Sequence, residues 1–172
     1  MNRRRFLLGS AGVIATGSML LPVLANQFQP GLPTLINRLQ ALQGKPLVSS
    51  GSWSVTEIFQ HLTQSVQGAY LGYPQLRASW FRHTVGPLAL SVFKATGQMQ
   101  HPLDEVIPGM PPLQSTLDPA LALQALIDAL TQFANATTLA PHFAYGELDH
   151  HDFACAHRLH IEAHLQQISV AG

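Results

Sequence analysis

Hydrophobic residues recur every three to four positions along most of this chain, and no stretch alternates convincingly between apolar and polar residues. Such spacing is typical of amphipathic helices that bury one face. The pattern predicts five helical segments, at residues 34–42, 55–71, 75–95, 120–133 and 150–168. The third segment should break at Gly86-Pro87, because proline has no N–H to donate inside a helix.

Capping residues mark where helices begin. Ser54 and Glu57 have the spacing of a capping box, in which each side chain satisfies a free backbone N–H at the helix start. Asp149 is suited to cap the last helix. Irregular connections are expected at residues 97–117, which contain four prolines, and at residues 141–148. We therefore expect an all-α fold, an antiparallel bundle of four main helices with an additional short or broken helix.

The composition describes one apolar globular domain. The chain has 172 residues, of which 47% are hydrophobic and 10% are charged, and these values exclude a disordered tail. A chain of this length forms one domain with a real core. Its single cysteine, Cys155, cannot form an internal disulfide, and we expect it to be a small core residue rather than a nucleophile.

The N-terminal residues predict export. Residues 3–7, RRRFL, match the twin-arginine pattern of two arginines, any residue and Phe-Leu, and a moderately apolar stretch follows up to Leu24. The small residue Ala25 suits cleavage by signal peptidase. We predict a signal peptide at residues 1–25, recognised by the twin-arginine export machinery, and a domain at residues 26–172 that is periplasmic or otherwise exported. A retained membrane anchor is the alternative.

The charge of the mature chain argues against a nucleic-acid partner. Three of the 9 Lys and Arg residues lie at positions 3–5, whereas all 9 Asp and Glu residues follow position 56. Without residues 1–25, six basic and nine acidic side chains remain, a charge of about −3 with histidine neutral. Domains that bind nucleic acid carry a basic surface instead. The sequence leaves a small-molecule substrate and a homodimer open as partners.

Histidines are concentrated near the C-terminus, and six of the 9 lie between residues 142 and 164. They are His142, His150, His151, His157, His160 and His164. His160 and His164 are four residues apart, which is about 40° of helical rotation, so both imidazoles can face one metal ion. A divalent ion needs at least one more ligand from another element. His61 borders the buried face of the second predicted helix and is the natural donor. The alternative is that His160 and His164 are two surface histidines of an amphipathic helix.

Two parts of the chain resemble a known superfamily. The segment WSVTEIFQHL, residues 53–62, resembles the opening motif W-S-x-x-E-x-x-x-H-L of DinB/YfiT-like proteins. The segments HFAYGEL, residues 142–148, and HIEAHLQQ, residues 160–167, resemble the C-terminal end of the DUF1569 branch of that superfamily. The resemblance implies an up-down four-helix bundle that binds a divalent metal through His61, His160 and His164. Zinc and nickel are the ions that we expect first.

The remaining candidates are expected to have structural roles. We expect His157 to lie at the helix surface. The alternatives are that it is a fourth metal ligand or that it forms a hydrogen bond to a ligand. Glu162 lies about 160° around the helix from His160 and His164 and should face away from them. The residues expected to be solvated or structural are Glu57 in the capping box, His150 and His151 at the helix start, and Trp53 packed on the bundle.

A three-histidine site with an open coordination position suits a metal-dependent hydrolase or a thiol transferase, here of unknown substrate. No carboxylate is clearly placed as a general base, and the sequence identifies no catalytic residue. The DUF1569 branch has no assigned reaction. The alternatives are a non-catalytic metal-binding module of the cell envelope and a helical interaction module without metal.

Replacing Arg3 and Arg4 together by lysine should leave the precursor in the cytoplasm, because the twin-arginine machinery recognises that pair. Immunoblots of cell fractions check this, and the exported wild type should begin near Asn26 on N-terminal sequencing. A double variant that reaches the periplasm as wild type does would contradict the assignment. A mature protein that begins at Met1 would support the retained anchor instead.

Overall fold

The computed structural model describes Leu21 and residues 28–172. This part of the chain is mainly helical, with six helices and one two-stranded sheet. In chain order the elements are α1 (Leu32–Gln40), β1 (Leu47–Ser49), α2 (Val55–Leu71), α3 (Ser79–His83), α4 (Val85–Thr96), α5 (Pro119–Ala134), α6 (His150–Leu165) and β2 (Ile168–Val170). None of the described helices has both the length and the hydropathy needed to cross a membrane. The predicted signal peptide, apart from Leu21, lies outside the described residues.

Three helices, α2, α5 and α6, begin directly after a residue whose side chain caps them. Ser54 Oγ accepts from the Glu57 N–H at 3.3 Å, and a Glu57 carboxylate oxygen accepts from the Ser54 N–H at 2.8 Å, which completes the predicted capping box. Asp118 caps α5 by accepting from the Ala120 N–H, and Asp149 caps α6. These bonds satisfy backbone donors that have no partner inside the helix. The starts of α2, α5 and α6 are therefore close to those predicted.

The helix predicted at residues 55–71 agrees with α2 at both ends, whereas the other two segments predicted before residue 100 differ at their ends. α1 begins at Leu32, before the predicted residue 34. The predicted break at Gly86-Pro87 is wrong, because the chain breaks at Thr84, between α3 and α4, and residues 75–78 are not helical. Pro87 is tolerated in the first turn of α4, since the N–H that it lacks would have no intrahelical partner there.

A small sheet closes the end of the chain where the sequence predicts more helix. α6 ends at Leu165, and Ile168–Val170 pairs antiparallel with Leu47–Ser49. Three-residue strands are too short to show a period of two, so only the long-range pairing defines them. The sheet joins the chain that follows α6 to the chain that precedes α2. It thereby fixes the two helices that carry the predicted metal ligands relative to each other.

α6 is covered around most of its circumference. Ten of its residues are buried, and the helix contacts α1, α2, α4 and β2. α2 packs against both α5 and α6, and Phe59, Phe133 and Phe153 are among the largest side chains that are fully buried. The histidines in the middle of α6 are consequently enclosed by the fold instead of forming a solvent-facing stripe.

The connection between α5 and α6 lies directly against α4. A β-carbon built on Gly86 would be 2.0 Å from the Ala144 carbonyl oxygen, so only glycine allows this approach. The backbones of His142 and Gly146 exchange hydrogen bonds of 2.7 and 3.1 Å, which hold the connection in a tight loop. This contact forms one wall of the cavity described below.

Candidate metal centre

The three predicted ligands converge between α2 and α6. α2 supplies His61, and α6 supplies His160 and His164 from successive turns. One ring nitrogen from each of the three lies within 4.8 Å of the others. The Nε2 atoms of His61 and His160 are 3.1 Å apart, and the three pairs of ring centroids are separated by 4.9 to 5.0 Å. The structure therefore brings together the set that the sequence resemblance implied.

Several nitrogens in this cluster are buried without a hydrogen-bond partner. His61 is 3% exposed and His164 is 0% exposed. Nδ1 of His61 and both ring nitrogens of His164 have no partner in the described structure. Leaving a polar atom buried and unpaired costs about 1–3 kcal/mol. A divalent cation would satisfy such lone pairs, and neutral imidazole is a common ligand for zinc, copper, iron and nickel, so the residues fit a metal ion.

His160 has the hydrogen bonding expected of an oriented ligand. Its Nδ1 lies 3.2 Å from the Ser65 hydroxyl, while its Nε2 faces His61. Ser65 is itself held in place, because its carbonyl oxygen accepts from the Tyr73 hydroxyl at 2.7 Å. A bond to the second ring nitrogen is a usual feature of metal-ligating histidines, since it fixes the ring orientation.

The histidines of the cluster are neutral at physiological pH. Burial, with a smaller contribution from neighbouring imidazoles, lowers the pKa of His61 to about 4 and that of His164 to about 3. Burial, together with the same neighbours, lowers the pKa of His160 well below its usual value. Metal ligands must be deprotonated, and this cluster meets that condition without the help of the ion.

Trp53 covers the cluster from the start of α2. Its ring centroid is 4.9 Å from that of His61, and its plane is parallel to that of His164 to within 2° at 6.2 Å. The sequence predicts Trp53 as a packing residue, and it does pack against the core. Its contacts with two ligands also exclude water from that side of the cluster.

A cavity of about 290 Å³ lies on another side of the cluster, and His61 and His160 form part of its wall. Most of the remaining wall is apolar, including Phe81, Ala89, Met99, Ile107 and Phe143. A cavity of this size is at the small end of the range for small-molecule sites. It could hold a compact, mostly apolar molecule whose polar end reaches the histidines.

Three further histidines, His101, His142 and His157, line the same cavity. His142 is 6% exposed and His157 is 2% exposed. The expectation that His157 lies at the helix surface is wrong, because α6 is buried on the side where His157 packs against the Phe133 ring, at 4.8 Å between centroids. His157 Nε2 has no partner, and burial lowers the pKa of His157 to about 3. It lies outside the group of three potential ligands.

The hydrogen bonds of His142 define its tautomer. Nδ1 accepts from the backbone N–H groups of Ala144 and Tyr145, both at 3.1 Å. Because Nδ1 accepts, the neutral ring carries its proton on Nε2. Burial holds the pKa of His142 well below its usual value, so this side chain offers one N–H donor at neutral pH.

Among the histidines and charged residues of the cavity, three were not singled out from the sequence. His101, in the connection between α4 and α5, has its ring centroid 4.9 Å from that of His160 and 5.5 Å from that of His164. Arg77 and Glu105 form an ion pair of 3.3 Å, with both side chains substantially exposed. His101 and Glu105 lie in a proline-rich segment without periodicity, so no local pattern indicates where their side chains lie.

The other candidates lie away from the three-histidine cluster. Glu162 pairs with Arg158 at 3.1 Å and is not near the ligands, as expected. A second group that could hold a metal, Asp149, His151 and Asp152, is at the exposed start of α6. Its carboxylates already have partners, since Asp149 caps the helix and Asp152 pairs with a lysine of α4.

Cys155 is buried, as expected of a core residue. Nδ1 of His151 lies 3.8 Å from its sulfur. Burial raises the pKa of the thiol to about 11. Because the thiolate is the nucleophile, the protonated Cys155 has no evident catalytic use.

A family model described as "Protein of unknown function (DUF1569)" matches residues 27–170. The chain therefore belongs to the DUF1569 family, and the resemblance of its segments to that family is confirmed. No curated protein and no solved structure matches the chain.

The metal-free protein should lose stability as the pH falls from about 6.5 to 4. Buried histidines with lowered pKa values stay neutral in the folded state, whereas the unfolded chain takes up protons below its ordinary pKa of about 6.5. Each such histidine therefore contributes up to about 1.4 kcal/mol per pH unit within this window, and nothing above it. Urea unfolding after chelation measures the effect between pH 8 and 5.

The buried histidine His157, which is not among the three ligands, provides the comparison. His157→Leu should reduce the slope of unfolding free energy against pH below pH 6.5, because one proton-binding site of the unfolded chain is removed. An unfolding free energy that stays constant from pH 8 to 5 in the wild type would contradict the burial of these imidazoles.

Proposed function

We propose that this member of the DUF1569 family holds one divalent metal ion through His61, His160 and His164. The observation that carries the proposal is the convergence of ring nitrogens of three histidines from two helices at one point, where several buried nitrogens have no hydrogen-bond partner. An all-histidine donor set favours zinc or nickel over magnesium or calcium, which prefer oxygen ligands.

The adjoining cavity favours a metal ion that acts on a small molecule. A purely structural ion needs no free space beside it, yet His61 and His160 border a cavity of about 290 Å³. The ion would supply Lewis acidity, which lowers the pKa of a coordinated water or thiol. The protein would supply an apolar wall and the N–H of His142, which can hydrogen-bond to an oxygen of the substrate.

Thiol transfer suits this site better than hydrolysis. Hydrolysis by an activated water is assisted by a general base whose pKa is near the working pH. The carboxylate on the cavity wall, Glu105, is paired with Arg77, and His157, with a pKa of about 3, is a weak base. A thiol that binds the ion as a thiolate releases its proton to solvent on binding and needs no such base, so we favour a metal-dependent thiol transferase over a hydrolase.

The long helices α2, α4, α5 and α6 support a DinB/YfiT-like antiparallel bundle as the fold type. We propose that the protein reaches the periplasm folded, through the twin-arginine machinery. Export in the folded state would allow the metal to be bound in the cytoplasm.

His61→Ala, His160→Ala and His164→Ala should each lower bound metal from about one equivalent to a small fraction, because two ligands compete poorly with water. Elemental analysis of the purified proteins measures this. Chelation should also lower the melting temperature of the wild type, since a ligand of the folded state at 100 times its Kd adds about 2.7 kcal/mol.

His151→Ala is the matched control, because His151 belongs to the exposed acidic group at the start of α6. This variant should keep its metal. If it loses the metal while the three cluster variants retain theirs, the ion is bound at the helix start and the proposed centre is wrong.

The cavity has its own test in Ala89→Phe, which places a ring in the apolar wall. Cobalt-loaded wild type should bind a small thiol such as 2-mercaptoethanol with a new near-ultraviolet charge-transfer band. Ala89→Phe should weaken this binding by about tenfold or more, a loss of ~1.4 kcal/mol or more, and should keep the metal. Leu88→Phe, at a position 59% exposed on the same helix, should behave as wild type. A wild type that binds metal but no thiol would favour the non-catalytic metal-binding module.

A further inference from the structure

We propose that His101 is a fourth ligand of the same ion, contributed by the connection between α4 and α5. This inference rests on the proposed metal centre. It concerns a residue outside the three-histidine set, in a segment without regular secondary structure between residues 97 and 118.

Ring separations place His101 beside two of the three rings of the cluster. Imidazoles bound about 2 Å from one ion through their nitrogens have ring centroids roughly 5 Å apart. The three proposed ligands are separated by 4.9 to 5.0 Å. His101 lies 4.9 Å from His160 and 5.5 Å from His164, so its ring adjoins two of the three proposed ligands. Its nitrogens lie outside the group within 4.8 Å of one another, so binding of the ion would draw the His101 ring inward.

The hydrogen bonding of His101 leaves a lone pair directed at no protein atom. Nδ1 donates to the Pro102 carbonyl oxygen at 2.7 Å, so the neutral ring carries its proton there and Nε2 has the free lone pair. Nε2 is buried and has no hydrogen-bond partner in the described structure. Ligating histidines typically donate their other N–H to a backbone carbonyl in this way.

The connection that carries His101 is anchored to α2 by side-chain bonds. Gln60 spans the two segments with a pair of bonds to the backbone of Gln114, at 2.7 and 3.0 Å. Gln64 donates to the Pro111 carbonyl oxygen at 2.9 Å. Gln60 and Gln64 lie on the same helix as His61, so α2 holds both the connection and the first proposed ligand.

A fourth imidazole restricts which ion can use the cavity. Four histidines fill the coordination of a tetrahedral zinc ion. An ion with five or six ligands, such as nickel, retains one or two positions. His101 lines the cavity together with His61 and His160, so a molecule in the cavity would bind beside it at a remaining position.

X-ray absorption of the nickel-loaded full protein tests the assignment by counting coordinated imidazoles. Wild type should give four, and His101→Ala and His101→Gln should each give three. The affinity for nickel should fall by at least about tenfold in both variants. Removing a residue that only orients a ligand already lowers metal affinity by about 10- to 100-fold. Circular dichroism shows whether each variant folds. If His101→Ala does not fold, His101→Gln, which keeps a polar side chain, decides the result.

Gln98→Ala is the control for disturbance of the connection, because Gln98 is exposed in the same connection and does not line the cavity, and it should bind nickel as wild type does. If both His101 variants keep the wild-type affinity and imidazole count while His164→Ala loses the metal, the fourth ligand is overturned and the three-histidine centre stands. A wild type that binds no metal would overturn both.

Discussion

The need to satisfy imidazole nitrogens inside a closed helical core governs this structure. α6 is buried on most sides, carries His157 and His164 into the interior and places His160 in the wall of the cavity. An apolar core gains nothing from unpaired nitrogens, which cost free energy when they are desolvated without a partner. A bound metal ion would remove that cost for the nitrogens that meet between α2 and α6. The close packing of the two helices, the Trp53 cover and the sheet that joins their flanking segments all maintain this meeting point.

The parts that sequence reasoning predicted are those determined by local chemistry. The capping box of Ser54 and Glu57 fixes the start of α2, and hence the direction of His61 two turns later in the helix. The spacing of His160 and His164 places both on one face of α6. These relations need no knowledge of distant residues, and the structure confirms them.

The parts that were missed depend on distant contacts. His157 was expected at the surface, because the sequence of α6 does not reveal how many elements surround it. β2 exists only through its pairing with β1. His101 lies in a proline-rich connection whose position depends on anchors such as the bonds between Gln60 and Gln114. No periodic pattern could place His101 or His157 beside the cluster. The high number of histidines indicated only in general that several act together.

The central claim is that the buried cluster, and not the exposed acidic group at the start of α6, binds the ion. Crystals of the metal-loaded protein, measured at the absorption edge of the metal, locate the ion directly by anomalous scattering. We predict one strong peak about 2 Å from ring nitrogens of His61, His160 and His164. A peak at Asp149, His151 and Asp152, with none at the cluster, would contradict the account.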